Sequence, residues 1–206
     1  MNTRAPTPED LFLNVRKAYR LLHDYQQMVL DAVRYIGSQL DIVDNGGKAR
    51  FAGDAGRGGE RTLRMPSWDY LPMFLCEYHF LKPAASQGLL SLSMFVVSDT
   101  GYYHGDPAIV ESGQCEGFHR PDQSQTKLIA LIRPGHFEPT LFHEPSEMRS
   151  FVLGGILSEE RKAKGWVCKS FGMDQILSEE GANKIVDAIV GMAETKGFEL
   201  FRKSHA

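Results

Sequence analysis

Along Phe74–Leu81 every even position is apolar or aromatic (Phe74, Cys76, Tyr78, Phe80), whereas Glu77 and His79 fall on odd ones. The pattern returns in Leu89–Val97, with Leu90, Leu92, Met94 and Val96 on even positions and Ser91 and Ser93 on odd ones. Side chains alternate faces along a strand, so this period of two predicts a β-hairpin with one apolar and one polar face. Pairing Phe80 with Leu90, Tyr78 with Leu92, Cys76 with Met94 and Phe74 with Val96 makes the apolar face continuous. The same register sets His79 beside Ser91 and Glu77 beside Ser93.

A different period governs the N-terminal stretch. Leu11, Val15, Ala18, Leu22, Tyr25, Val29, Ala32 and Ile36 are spaced alternately by four and three residues, the heptad spacing of a long helix. Phe12, Tyr19 and Val33 widen the stripe. Thr7 suits an N-cap, Pro8 the first helical position, and Asp10 closes an aspartate form of the capping box. The result is a helix of about 30 residues, roughly 45 Å long, weakened at Gly37 and stopped by Asn45-Gly46-Gly47. Its seam has two uses. The wide stripe and the small Ala18 and Ala32 favour burial against the protein's own sheet, with Tyr25 needing a hydrogen-bond partner. The alternative is a helix pair between two subunits, which would make the protein a homodimer and an oligomeric scaffold.

The remaining elements follow from local signals. Arg50-Phe51-Ala52 reads as a short strand and Gly53–Glu60 as a glycine-rich mobile loop or hairpin tip. Thr126–Arg133 predicts a third strand with Leu128, Ala130 and Ile132 on one face, ended by Pro134-Gly135. Glu144–Lys164 fits a helix from Pro145, interrupted at Gly154-Gly155, or a strand through Phe151-Val152-Leu153. Trp166–Phe171 predicts a fourth strand. Ser178 caps a last helix, whose buried line is Ile185, Ile189 and Met192 and whose stop is Gly197. Strands in a row between terminal helices imply an α+β fold, a mostly antiparallel sheet of about four to six strands covered on one face by the first and last helices. We read one domain over residues 1–206: the long helix in 1–44, the sheet with its loops in 45–175, and the C-terminal helix and tail in 176–206.

Composition adds limits. The chain has 206 residues, 42% of them hydrophobic, enough for a single domain with a substantial core. A net charge of −3 gives no sign of bulk nucleic-acid binding. Cys76, Cys115 and Cys168 form an odd, sparse set, which argues for a reducing compartment. No apolar run approaches the roughly 20 residues of a membrane span, and the N-terminus lacks the apolar core of a signal peptide. These features predict a soluble, cytoplasmic protein without a membrane partner.

Candidate chemistry follows from the hairpin. In an antiparallel pair, the residue entering the first strand lies beside the residue leaving the second. Trp68, Asp69 and Tyr70 should therefore gather with Asp99, Tyr102, Tyr103, His104 and Asp106, with Gly101 and Gly105 as flexible joints. Arg61 and Arg64 arrive from the same side. Aromatic faces with arginines suit a small planar ligand carrying an anionic group. Asp69, Asp99, His104 and Asp106 would alternatively offer Mg²⁺ or Mn²⁺ an oxygen-rich site for phosphoester-type hydrolysis. On the opposite face of the hairpin, Glu77 and His79 are the candidates for acid–base catalysis.

Two short patterns are weaker. Asp99-Thr100-Gly101 resembles the tripeptide of aspartic proteases, but Ser98 breaks the apolar lead-in and Tyr102 replaces the small residue that should follow. Cys76 and His79 have zinc-ligand character but fall on opposite strand faces, so one ion cannot take both. The leading expectation is a binding or regulatory module for a small anionic or aromatic ligand, or a protein partner, at the Trp68/Tyr102 end. A metal-dependent hydrolase and the helix-built scaffold are the alternatives, and the residues specify no cofactor.

Overall fold

A computed structural model describes residues 7–49, 75–84, 88–105, 117–136, 142 and 145–203. Helix α1 (Pro8–Gln39) starts as its capping box requires: Thr7 Oγ1 accepts the Asp10 N–H at 3.2 Å, and the Thr7 N–H donates to Asp10 Oδ2 at 3.0 Å. Five strands follow, β1 (Val43–Ala49), β2 (Leu75–Ala84), β3 (Gly88–Val97), β4 (Lys127–Pro134) and β5 (Val167–Gly172). They form one antiparallel sheet in chain order. The single turn α2 (Gly101–His104) lies between β3 and β4, helices α3 (Pro145–Gly154) and α4 (Glu159–Ala163) lie between β4 and β5, and α5 (Glu179–Glu194) closes the fold.

The even face of the sheet is the main core. Phe80, Leu92, Met94, Val96, Leu128, Ala130 and Ile132 pack under Val29, Val33 and Ile36 of α1 and Ile185, Val186 and Ile189 of α5. Gly37 has a use here beyond weakening the helix. A Cβ at that position would sit 2.8 Å from Phe80 Cε1, so the glycine lets α1 settle onto β2. The Tyr25 hydroxyl finds its partner in Ser98 Oγ, 3.1 Å away at the end of β3.

Three expectations need correction. The hairpin pairs Phe80 with Leu92, Tyr78 with Met94, Cys76 with Val96 and His79 with Ser93, two residues away from the proposed register. Slipping by two keeps every side chain on its face, and it lets Pro83 and Ala84 pair with Leu89 and Gly88, lengthening the ladder to ten pairs. Gly88, at φ +79°, opens β3 in a left-handed conformation that glycine adopts readily. Second, Asn45-Gly46-Gly47 does not end in a stop but lies within β1, where Gly46 at φ +84° accompanies a register shift between Asp44 and Gly47. The proposed strand at 50–52 and the glycine-rich loop lie outside the described residues.

Third, the sheet is covered on both faces. Of the two readings of 144–164 the helix is found, and α3 sets Met148, Phe151 and Val152 against Leu75, Phe95, Val97, Ile129 and Leu131 on the odd face. Arg161 of α4 ties this layer together through its ion pair with Glu147, its guanidinium 4.6 Å from the Phe142 ring centroid and 4.5 Å from that of Trp166. The Arg161 hydrogen bond holds the Glu147 carboxyl below its ordinary range.

α1 meets this core along part of its length. From Val29 onward its inner face is buried, but every residue from Pro8 to Asp24 is exposed. The expected burial of the whole seam against the sheet therefore holds for its second half alone. Among the described residues no helix is long and apolar enough to cross a membrane.

Candidate functional site

β2 is entered where β3 is left, because Leu75 pairs with Val97. The chain leaving β3 is then pinned by the chain entering β4. The Thr100 N–H donates to the Gln125 carbonyl at 3.0 Å, the Gln125 N–H to Thr100 Oγ1 at 2.9 Å, and the Thr126 hydroxyl to the Ser98 carbonyl at 2.8 Å. Asp99 Oδ1 accepts the Gly101 N–H at 2.7 Å, the side-chain turn that aspartate favours at such bends. The protease-like tripeptide is thus a turn built into a loop.

Gly101 is the centre of this corner, and its freedom of rotation is not what matters. The His119 N–H donates to its carbonyl at 3.0 Å. A Cβ on Gly101 would lie 2.7 Å from Ser124 Oγ, 2.8 Å from the His119 carbonyl oxygen and 2.9 Å from Asp99 Oδ1. This close approach carries the segment from 117 onward against α2. Phe118 meets Tyr102 edge-on at 5.4 Å between ring centroids, and His119 lies over His104 at 5.2 Å with the planes tilted by 35°. From α3, Arg149 Nη2 donates to the His104 carbonyl at 3.4 Å. The corner therefore carries imidazoles, a guanidinium and a lysine. Burial pulls the proton affinity of His104 below the ordinary imidazole value, and His119, Lys127 and Arg149 pull it further in the same direction. Lys127, itself nearly buried, donates to the Leu153 carbonyl at 3.1 Å and is also shifted downward by burial.

Asp99, Tyr102, Tyr103 and His104 thus stand together, but in different settings. His104 is exposed, Tyr102 half-buried, and Tyr103 buried in the odd-face core. Arg61, Arg64, Trp68, Asp69, Tyr70 and Asp106 lie outside the described residues. Among the described residues no group of three or more His, Cys, Asp or Glu side chains is placed to hold a metal ion. Sequence reasoning missed Phe118, His119, Lys127 and Arg149. They come from a loop, a strand end and a helix whose approach no periodicity encodes.

The second candidate group lies on the odd face. His79 Nδ1 is 3.0 Å from Ser93 Oγ, and His79 Nε2 is 3.4 Å from Glu77 Oε2. A hydroxyl, an imidazole and a carboxylate in a row are the parts that nucleophilic catalysis uses. Here Glu77 is 0% exposed, Ser93 1% and His79 3%, which leaves no approach for a substrate in this arrangement. Ser91 donates to the Gly135 carbonyl and Arg133 to that of His136, with the Arg133 guanidinium 5.1 Å from the Trp166 ring centroid. This buried polar row ties β2, β3 and β4 together on the odd face. The expected opposition of Cys76 and His79 is seen: Cys76 faces the α1 side, where burial pushes its thiol up to about 11.

No curated protein and no solved structure matches the chain. The PM0109 family model matches residues 7–199.

Proposed function

The chain belongs to the PM0109 family, and on its own geometry we propose that it is a binding module that takes a small anionic ligand with a planar part at the Tyr102–His104 end of the sheet. The observation that carries this reading is the tilted stack of His104 on His119, with Lys127 and Arg149 acting on the same imidazole. Like charges disfavour one another's protonation, and an anion bound among them removes that repulsion. The Tyr102–Phe118 pair beside it offers aromatic surface to a ring attached to such an anion.

The test is a pH titration of the His104 imidazole by NMR, with inorganic sulfate as the first probe and a nucleoside monophosphate as the second. Without anion, His104 should titrate below the ordinary histidine value. Sulfate should raise it, because the bound anion favours the imidazolium, and sulfate affinity should therefore increase as pH falls. Arg149→Met should weaken that response. A His104 titration unmoved by tens of millimolar sulfate would remove the basis of the reading. The linked stability effect has a defined sign. A histidine whose folded pKa is depressed contributes fully above its unfolded value of about 6.5, and that contribution is lost as pH falls towards the folded value. Anion-free protein should accordingly lose stability on mild acidification, and sulfate should restore part of it.

A further inference from the structure

The free half of α1 is apolar where an ordinary projecting helix would be polar. Leu11, Phe12, Val15, Tyr19, Leu21 and Leu22 are between 42% and 70% exposed, and they lie on the heptad seam or directly beside it. A helix of this length standing alone in water is marginal, since helices in proteins draw most of their stability from a covered apolar face. We infer that this face is covered by the same segment of a second copy, in an antiparallel pair centred between Arg16 and Lys17.

The register follows from what is already buried. Val29 is 0% exposed inside its own subunit, so pairing cannot extend that far. The exposed stretch runs from Pro8 to Asp24, and its midpoint falls at Arg16. One antiparallel register of the seam uses only this stretch. It sets Leu11 against Leu22 of the partner subunit and Val15 against the partner's Ala18, whose small side chain lets the two backbones approach. It also places Phe12 beside the partner's Tyr19, so the residues that widen the stripe meet one another. Arg16, Lys17 and Arg20 stay on the outer side.

Charge favours the antiparallel sense as well. A parallel pair would align the two helix dipoles, whereas the antiparallel pair opposes them. Covering these six side chains on both copies would bury on the order of 1,000 Å², at the lower edge of what stable interfaces bury. A lipid surface fits less well, because the capped tip with Glu9 and Asp10 would have to approach the headgroups.

The experiment is sedimentation equilibrium on the full chain, supported by circular dichroism. The wild type should sediment with twice the monomer mass. Leu22→Asp should weaken association by about a hundredfold or more, by placing a carboxylate against apolar carbon, while leaving the folded signal intact because Leu22 is exposed. Leu11→Lys should do the same. Mixing the two variants should restore a dimer, since antiparallel pairing brings lysine opposite aspartate. A mixture that stays monomeric overturns the antiparallel register. A monomeric wild type at high concentration overturns the pair altogether, as does a wild type that stays monomeric yet binds anionic vesicles through Leu22.

Discussion

Phe151→Ala should cost the fold about 3–5 kcal/mol, the range for deleting a fully buried aromatic side chain. Phe151 is 0% exposed, meets Phe95 edge-on at 5.0 Å and stacks on Phe142 at 4.4 Å between centroids. Collapse around the vacated space is hindered, because Phe95 is anchored in the central strand and its neighbours on β4 are equally buried. Urea denaturation should show a lower midpoint with an unchanged slope if α3 unfolds together with the sheet. Phe151→Leu keeps most of the volume and should lose about 1.5 kcal/mol or less. Because Arg149 sits two residues away on the same helix, the alanine variant should also bind sulfate more weakly. A variant with full stability and weak sulfate binding would mean that α3 is docked locally and is not part of the cooperative core.

The sequence was legible where one period governed a whole element. The heptad spacing fixed α1 to within a few residues, and the alternation in β2 and β3 assigned every side chain to its face. It did not settle the pairing, because a slip of two residues leaves both faces unchanged. β1 was hidden for a related reason: Asn45-Gly46-Gly47 carries turn residues, and an exposed edge strand with a shifted register needs no hydrophobic alternation. The cover on the odd face was also hard to read. Ser91, Ser93, Glu77 and His79 left open whether that face was wet or lay under a helix, and α3 buries Phe95 and Ile129 on it. At the candidate site, the hairpin geometry located Asp99 through His104. Residues arriving from 117 onward and from α3 depend on tertiary contacts, above all the one at Gly101.

That contact gives the last prediction, in which one substitution has opposite signs at two glycines. Gly101→Ala should destabilise the protein by about 1–3 kcal/mol, the usual cost of forcing atoms into a filled site. Gly101 does not have a positive φ, so the cost arises from crowding and not from backbone preference. The new methyl would meet three oxygen atoms inside 3.0 Å, one of them the His119 carbonyl and another the Asp99 carboxylate that holds the turn. Relief requires the segment carrying His119 to back away, which separates His119 from His104. The His104 titration should then move towards the ordinary histidine value, and sulfate should no longer shift it. Gly191→Ala on α5 is the matched control: a Cβ there has no neighbour within 4 Å, and alanine in a helix should gain up to about 1 kcal/mol. If both variants gained stability, the corner around Gly101 would have room to spare, and the convergence of His104 and His119 would not depend on it.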